Sequence, residues 1–194
     1  MSRLSVVLPA YNEELMTAKV CRTLKEILDH EGISYELVLV DDGSSDGTWN
    51  QIEQISEQDS NVTAVHFSRN FGKEAAIVAG LAQASGDAVA VMDCDLQHPP
   101  ETLVKMFRLW EQGYEIVEGI KTNRGKESLL HRKSAGFFYG IMSRATGFDM
   151  QNASDFKLLD RKAVESVLSM PERSMFFRAA SSWIGYRSTS VLFE

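Results

Sequence analysis

Cysteine and proline are scarce in this chain of 194 residues, at two and four respectively, and no stretch approaches the roughly 18 consecutive apolar residues that a membrane-spanning helix needs. Two cysteines, Cys21 on a predicted helix and Cys94 in an acidic motif, make no disulfide framework and read as reduced, buried thiols. The amino terminus lacks a charged-then-apolar signal segment, because strand-like residues begin at Leu4. The chain as given therefore reads as soluble and cytosolic. His30, His66, His98 and His131 show no zinc-ligand spacing. Basic residues are outnumbered by acidic ones, 20 to 27, and the net charge of −7 argues against general nucleic-acid binding. There is no internal repeat, low-complexity tract or linker, so residues 1–194 read as a single domain around one core. The Gly-rich, Arg/Lys-bearing N-terminal phosphate loop usual in nucleotidyltransferases is also missing.

With so few prolines, each one marks a boundary. Pro99-Pro100 breaks the most informative stretch, Val91-Met-Asp-Cys-Asp-Leu-Gln-His-Pro-Pro-Glu101, in which the apolar run Ala88–Met92 delivers Asp93 and Asp95 to its carboxyl end. Carboxylates two apart on a strand point to opposite sides, but in a loop they can converge on a cation. Mg²⁺ or Mn²⁺ held by one or two carboxylates, with diphosphate oxygens completing the shell, is the usual arrangement on phosphorylated substrates, and Gln97 adds a neutral oxygen. The structural alternative is a pair of capping residues before a helix starting near Glu101.

Three further motifs favour the first reading. Leu4–Pro9 is an apolar strand running into the turn Ala10-Tyr-Asn-Glu13. Glu36–Val40 delivers Asp41 and Asp42 to the turn Gly43-Ser-Ser-Asp-Gly-Thr48, where Asp46 can cap a helix beginning near Thr48. Ser68-Arg-Asn-Phe-Gly-Lys-Glu74 follows the strand Val62–Phe67. Four strands that end in polar, Gly- or Pro-marked loops, each followed by helical periodicity, make an open α/β sheet that binds ligands along its carboxyl edge.

Taken in order, Pro9–Glu13, Asp41–Thr48, Ser68–Glu74, Asp93–Glu101 and Asp155-Phe-Lys-Leu-Leu-Asp-Arg161 resemble the family 2 glycosyltransferases of GT-A fold. The resemblance runs from about Arg3 to Phe193. It is strongest to the branch that makes polyprenyl-phosphate sugars, the dolichol-phosphate mannose synthases and bactoprenol glucosyltransferases. One departure is Ser154-Asp-Phe-Lys157, where the branch usually has Gly-Asp-Phe-Arg. The resemblance implies a Rossmann-like, mostly parallel central sheet flanked by helices. It also implies that the chain is the catalytic domain alone, since members of the branch continue into an Arg/Gly-containing loop and, in the bacterial enzymes, two membrane helices.

By the same resemblance, Pro9, Ala10, Tyr11, Asn12, Glu13 and Asp42 hold the nucleoside, with Tyr11 offering an aromatic face and Asp42 or Glu13 accepting hydrogen bonds from base or ribose. Gly72 permits close backbone approach and Lys73 reaches a base or phosphate. Asp93, Cys94 and Asp95 line the diphosphate, and Asp93, Asp95 and Gln97 form the metal set. UDP-glucose is the default donor among UDP- and GDP-hexoses, and an inverting transfer is expected at the inner face of the cell membrane. A homo-oligomer is compatible with this reading.

The acceptor is read from a local reversal of charge. Lys121, Arg124, Lys126, Arg132 and Lys133 face one acid, Glu127, so residues 121–134 carry +4 and the remainder −11. The following Ala135–Met142 suits a helix on a core or on a membrane surface. A phosphate monoester, with its second pKa near 6, needs cationic positioning more than deprotonation. Arg124, Arg132 and Ser134 resemble the branch's phosphate-holding residues and favour polyprenyl phosphate. A sugar-hydroxyl acceptor would instead need a carboxylate base, with Asp155 the candidate. Asp155 could also be structural, paired with Lys157 or Arg161. A nucleotide-sugar-binding module without turnover is disfavoured by the presence of both Asp93 and Asp95. The segment Met170–Trp183, introduced by Pro171-Glu172, reads as helical core packing that includes Phe176, Phe177 and Trp183.

Overall fold

Apolar residues fill most of the first and second strands and all of the fourth, as both faces of a sheet covered by helices require. The structure is a computed structural model that describes residues 2–122, 154–171 and 176–194. Its strands are β1 (Arg3–Ala10), β2 (Ser34–Asp41), β3 (Val62–His66), β4 (Ala88–Val91), β5 (Ile116–Lys121), β6 (Lys157–Asp160) and β7 (Ser188–Phe193). The helices are α1 (Glu14–His30), α2 (Thr48–Gln58), α3 (Lys73–Gln83), α4 (Pro100–Glu111), α5 (Arg161–Leu168) and α6 (Phe177–Trp183). The strands form one sheet in the order β3-β2-β1-β4-β6-β5-β7. The first four pair in parallel, β6 runs antiparallel to both β4 and β5, and β7 is parallel to β5.

Period-two alternation divides the core between the two faces. Leu4, Val6, Leu8, Leu37, Leu39, Ala88 and Ala90 pack with Val20, Leu24 and Leu28 of α1, Ile52 of α2 and Leu103 and Met106 of α4. On the other face Val7, Val38, Val40, Val89 and Val91 meet Ala76, Ile77 and Leu81 of α3, Ala163 and Val167 of α5 and Phe177 of α6. Helix α3 lies close to the sheet at Gly80, where a Cβ would overlap Val7 Cγ1 and press on Val40 Cγ2 at 3.3 Å.

The antiparallel turn of β6 matters most for function. Because the pairing sets Val91 against Lys157, the residues leading into β6 arrive at the edge where β1, β2, β3 and β4 end. Asp155 is thereby brought from far along the chain to the loop after β4.

The expected ends of the first four strands and the helix starts expected near Thr48 and Glu101 lie within a residue of those found, whereas β2 begins two residues before Glu36 and the helix expected after Pro171-Glu172 is described from Phe177; the mixed, mainly parallel sheet is as expected. The core assignment for Met170–Trp183 needs correction. Phe177 is buried, but Phe176 is 38% and Trp183 66% exposed, because the short α6 buries only the stripe Phe177, Ala180 and Ser181. Both cysteines are free and buried. Among the described residues no helix is long and apolar enough to cross a membrane. The expected helix Ala135–Met142 lies outside the described residues, as do Arg124, Arg132 and Ser134.

Candidate active site

The loops after β1 and β2 hold one another through their own polar side chains. Asn12 N–H donates to Ser44 Oγ at 2.9 Å, Ser45 N–H donates to Asn12 Oδ1 at 2.9 Å, and Glu13 N–H donates to Thr48 Oγ1 at 2.8 Å. Asp46 Oδ1 accepts the Thr48 N–H at 3.0 Å from one residue before the cap, which is Gly47, so Asp46 steadies the turn into α2 without being its N-cap. Asn12 sits at φ 55° and Leu96 at φ 58°, left-handed positions that few non-glycine residues occupy. Both are in loops that shape the site, where such strain tends to be kept. Gly43, at φ 66°, lets the β2 loop pass directly against the backbone of Arg69, where any Cβ would clash.

Together these loops enclose an open cleft of about 320 Å³. Pro9, Ala10, Tyr11, Glu13, Asp42, Gly72, Lys73, Asp93, Cys94 and Asp95, all expected site residues, line it. Asn70 and Ala76 line it as well and were not singled out in the sequence, although Asn70 lies within the Ser68–Glu74 motif. Asn12 and Gln97 are outside the lining. The Asn12 carboxamide is engaged with Ser45, and Gln97 is exposed with its N–H donating to Asp95 Oδ1 at 2.9 Å.

Asp42 lines the cleft but is only 2% exposed. Its two oxygens accept the N–H groups of Phe71 at 2.7 Å and Gly72 at 2.9 Å, so it fixes the loop that precedes α3. Asp41 turns the other way and accepts from His66 Nδ1 at 2.7 Å. Tyr11 is half exposed and lines the cleft. Cys94 is buried, and burial pushes its thiol up to about 12, which keeps it a neutral thiol in the empty cleft.

Negative charge is concentrated along one wall. Burial raises the pKa of Glu13, and Asp95, Asp46 and Asp93 raise it further. Lys73 partly offsets this, its Nζ lying 2.6 Å from Asp93 Oδ1 and 2.9 Å from Asp155 Oδ2. Asp155 is held from its other side by Arg178, through Nε at 2.6 Å and Nη2 at 2.7 Å. Burial opposes its charge, but the hydrogen bonds from Arg178 and Lys73 prevail and hold its carboxyl at about 2. The alternative pairing of Asp155 with Lys157 or Arg161 is thus replaced. Lys157 is buried and donates to Ser182 Oγ at 3.0 Å, and Arg161 Nε donates to the Gly86 carbonyl at 2.9 Å. Arg178 was invisible to sequence reasoning because no spacing links it to Asp155. The same turn of α3 reaches α6, where Glu74 Oε2 accepts the Phe177 N–H at 2.7 Å.

Behind the acidic motif, Asp93 N–H donates to His98 Nδ1 at 3.3 Å, and burial lowers the pKa of His98, keeping it neutral and able to accept. Its ring stacks on Phe156, with centroids 4.5 Å apart. Among the described residues no three His, Cys, Asp or Glu side chains form a metal cluster by themselves. The donor chemistry nonetheless fits a hard divalent cation. Asp93 and Asp95 offer oxygen alone, Asp93 already receives a cation in Lys73, and the remaining positions would fall to a diphosphate.

The model of glycosyl transferase family 2 matches residues 5–168. The chain belongs to that family. It is 39% identical over 188 residues to the uncharacterized glycosyltransferase YkcC of Bacillus subtilis, covering 96% of this chain and 58% of that protein. It is 36% identical over 190 residues to the bactoprenol glucosyl transferase of Shigella phage SfV, covering 97% of this chain and 62% of that protein. This family 2 chain thus spans about three fifths of the length of the curated relatives it matches. Its fold is that of GT-A glycosyltransferases. It superposes on Mycobacterium tuberculosis glucosyl-3-phosphoglycerate synthase, crystallised with Mn²⁺, UDP and glucosyl-3-phosphoglycerate, with a TM-score of 0.69 and 22% identity, covering 98% of this chain and 70% of that one. A second crystal of that synthase, with Mn²⁺, UDP and phosphoglyceric acid, gives 0.62 and 26% identity over 85% of this chain and 58% of the other.

Proposed function

We propose that residues 1–194 are the catalytic domain of a metal-dependent, inverting glycosyltransferase that moves a hexose, with UDP-glucose as the default donor, to a polyprenyl phosphate at the inner face of the cell membrane. The bactoprenol glucosyl transferases among its relatives support the lipid acceptor, and the Mn²⁺ and UDP of the 26%-identical synthase support the donor class. The observation that carries the choice of acceptor is the state of Asp155. A general base for a sugar hydroxyl works best with a pKa near the operating pH, whereas Asp155, clamped by Arg178 and Lys73, is held at about 2. A lipid phosphate brings its own anionic oxygen and needs no such base.

In this mechanism the Pro9–Glu13 turn and Tyr11 seat the nucleoside, and Asp42 keeps the Phe71–Gly72 backbone against it. Asp93 and Asp95 would hold Mg²⁺ or Mn²⁺, which when bound offsets negative charge on the departing diphosphate. Arg124, Arg132 and Ser134 position the acceptor phosphate. One phosphate oxygen attacks the anomeric carbon from the face opposite the leaving group, forming a C–O bond. The bond to the nucleoside diphosphate breaks with its electron pair, and the configuration inverts.

The test uses the full-length protein with UDP-glucose, Mn²⁺ and polyprenyl phosphate. Arg124→Ala and Arg132→Ala should each spare UDP binding while lowering lipid glucosylation by about 10-fold or more, one charge-assisted hydrogen bond each. Full lipid transfer by both variants, or transfer to a free saccharide that falls by about 10²–10⁴ in Asp155→Asn, would replace this reading with a hydroxyl acceptor.

A further inference from the structure

Lys73 bridges two carboxylates of very different standing. Asp155 is nearly wholly buried and is committed on its far side to Arg178. Asp93 is one-third exposed and lines the cleft with Asp95 and Glu13. The Lys73 side chain is itself 40% exposed, so one end of the bridge is anchored while the other opens onto the cleft. A divalent cation on Asp93 would compete for the oxygen that the ammonium now contacts at 2.6 Å, and two cations crowded on one carboxylate repel.

We propose that Lys73 is the resident counter-ion of this site, occupying Asp93 against a divalent cation until a nucleoside diphosphate arrives to take its ammonium. The inference rests on reading the cleft as a nucleotide-sugar site. In the empty cleft Lys73 offsets the mutual repulsion of Glu13, Asp93 and Asp95. A diphosphate presents a denser negative charge within reach of the flexible four-carbon stem. Lys73 then turns on its Asp155 contact, leaves Asp93 and meets a phosphate oxygen. Arg178, by fixing Asp155, fixes the pivot. Nucleotide and cation therefore load as a pair, each tightening the other by the same factor.

The probe is Mn²⁺ titrated calorimetrically into the 194-residue chain, alone and with UDP or GDP, for the native protein, Lys73→Met and Lys73→Gln. For the native protein, Mn²⁺ alone should bind weakly, and the diphosphate should tighten it by about 10-fold or more. In either variant, Mn²⁺ alone should bind about 10-fold more tightly, while diphosphate affinity at saturating Mn²⁺ falls by about 10-fold or more. These opposite signs are the signature, since a merely supporting residue would weaken both or neither. Unchanged or weaker Mn²⁺ binding by the folded variants overturns the inference alone. If the variants do not fold, tight Mn²⁺ binding by the native chain that no diphosphate improves does the same. Failure of the native chain to bind either diphosphate at any Mn²⁺ concentration overturns the nucleotide-sugar reading together with the inference.

Discussion

Glu36 and Glu13 lie toward opposite ends of the same sheet, and their surroundings are nearly inverse. Glu36, near the start of β2, is buried among donors. Ser5 Oγ reaches it at 2.6 Å, Ser85 N–H at 2.6 Å and Ser85 Oγ at 2.9 Å, with Arg3 Nη2 3.5 Å away. Burial opposes its charge, but these bonds outweigh it and its pKa is lowered. Glu13, past the end of β1, stands among Asp95, Asp46 and Asp93, and its pKa is raised. One glutamate has its charge compensated within the fold, and the other stands among like charges that we propose a bound ligand compensates. The difference separates a carboxylate that ties neighbouring segments together from one left among like charges at the cleft.

The strongest way to break this contrast is at the acidic edge. Asp95→Ala should remove the Mn²⁺ enhancement of UDP binding, a loss of several kcal/mol, on the order of 10³-fold in Kd by calorimetry. Asp93→Ala should cost less, because Asp93 is already shared with Lys73. At the other end, Glu36→Ala leaves Ser5, Ser85 N–H and Arg3 without their acceptor. It should lower stability by about 3 kcal/mol in urea unfolding while leaving UDP affinity unchanged. Because the folded-state pKa of Glu36 is lowered, its contribution is present above the ordinary carboxylate value and lost as pH falls through the lower folded value. The native chain should therefore lose its advantage over Glu36→Ala below about pH 4.

Glu13→Gln is the smallest and sharpest case. The raised pKa means that ionised Glu13 destabilises the empty fold above the folded pKa and not below the unfolded one. The substitution should raise stability at pH 7 by no more than about 0.5 kcal/mol, with the gain vanishing as pH falls through the carboxylate range. A loss of stability at neutral pH would place Glu13 in the same class as Glu36.

The sheet was legible because its strands are short apolar runs closed by punctuation. Pro9, Asp41-Asp42-Gly43 and the residues after Met92 all mark real strand ends. The carboxyl-edge cluster followed from them, since parallel strands put such ends side by side. What could not be read was long-range pairing. Lys73 meets Asp155 across 82 positions, and this depends on the reversed direction of β6. The partnership of Asp155 with Arg178 has no local signature, so nearer cations, Lys157 and Arg161, stood in for it. Glu36 reads in sequence as one acid ahead of an apolar strand, and only Ser5 and Ser85, from separate segments, reveal why it is buried.

The close seat of α3 at Gly80 ties the interior to the chemistry at the edge. The helix that Val7 and Val40 hold down by the absence of one methyl group is the helix whose first residue is Lys73. Gly80→Ala would lift α3 from the sheet and draw the Lys73 ammonium away from Asp93, and trimming Val7 to alanine would let the helix settle back. Position 80 thus behaves as a spacer for a group more than a full helical turn away, and in a genetic screen core changes at position 7 would surface as suppressors of defects that look catalytic.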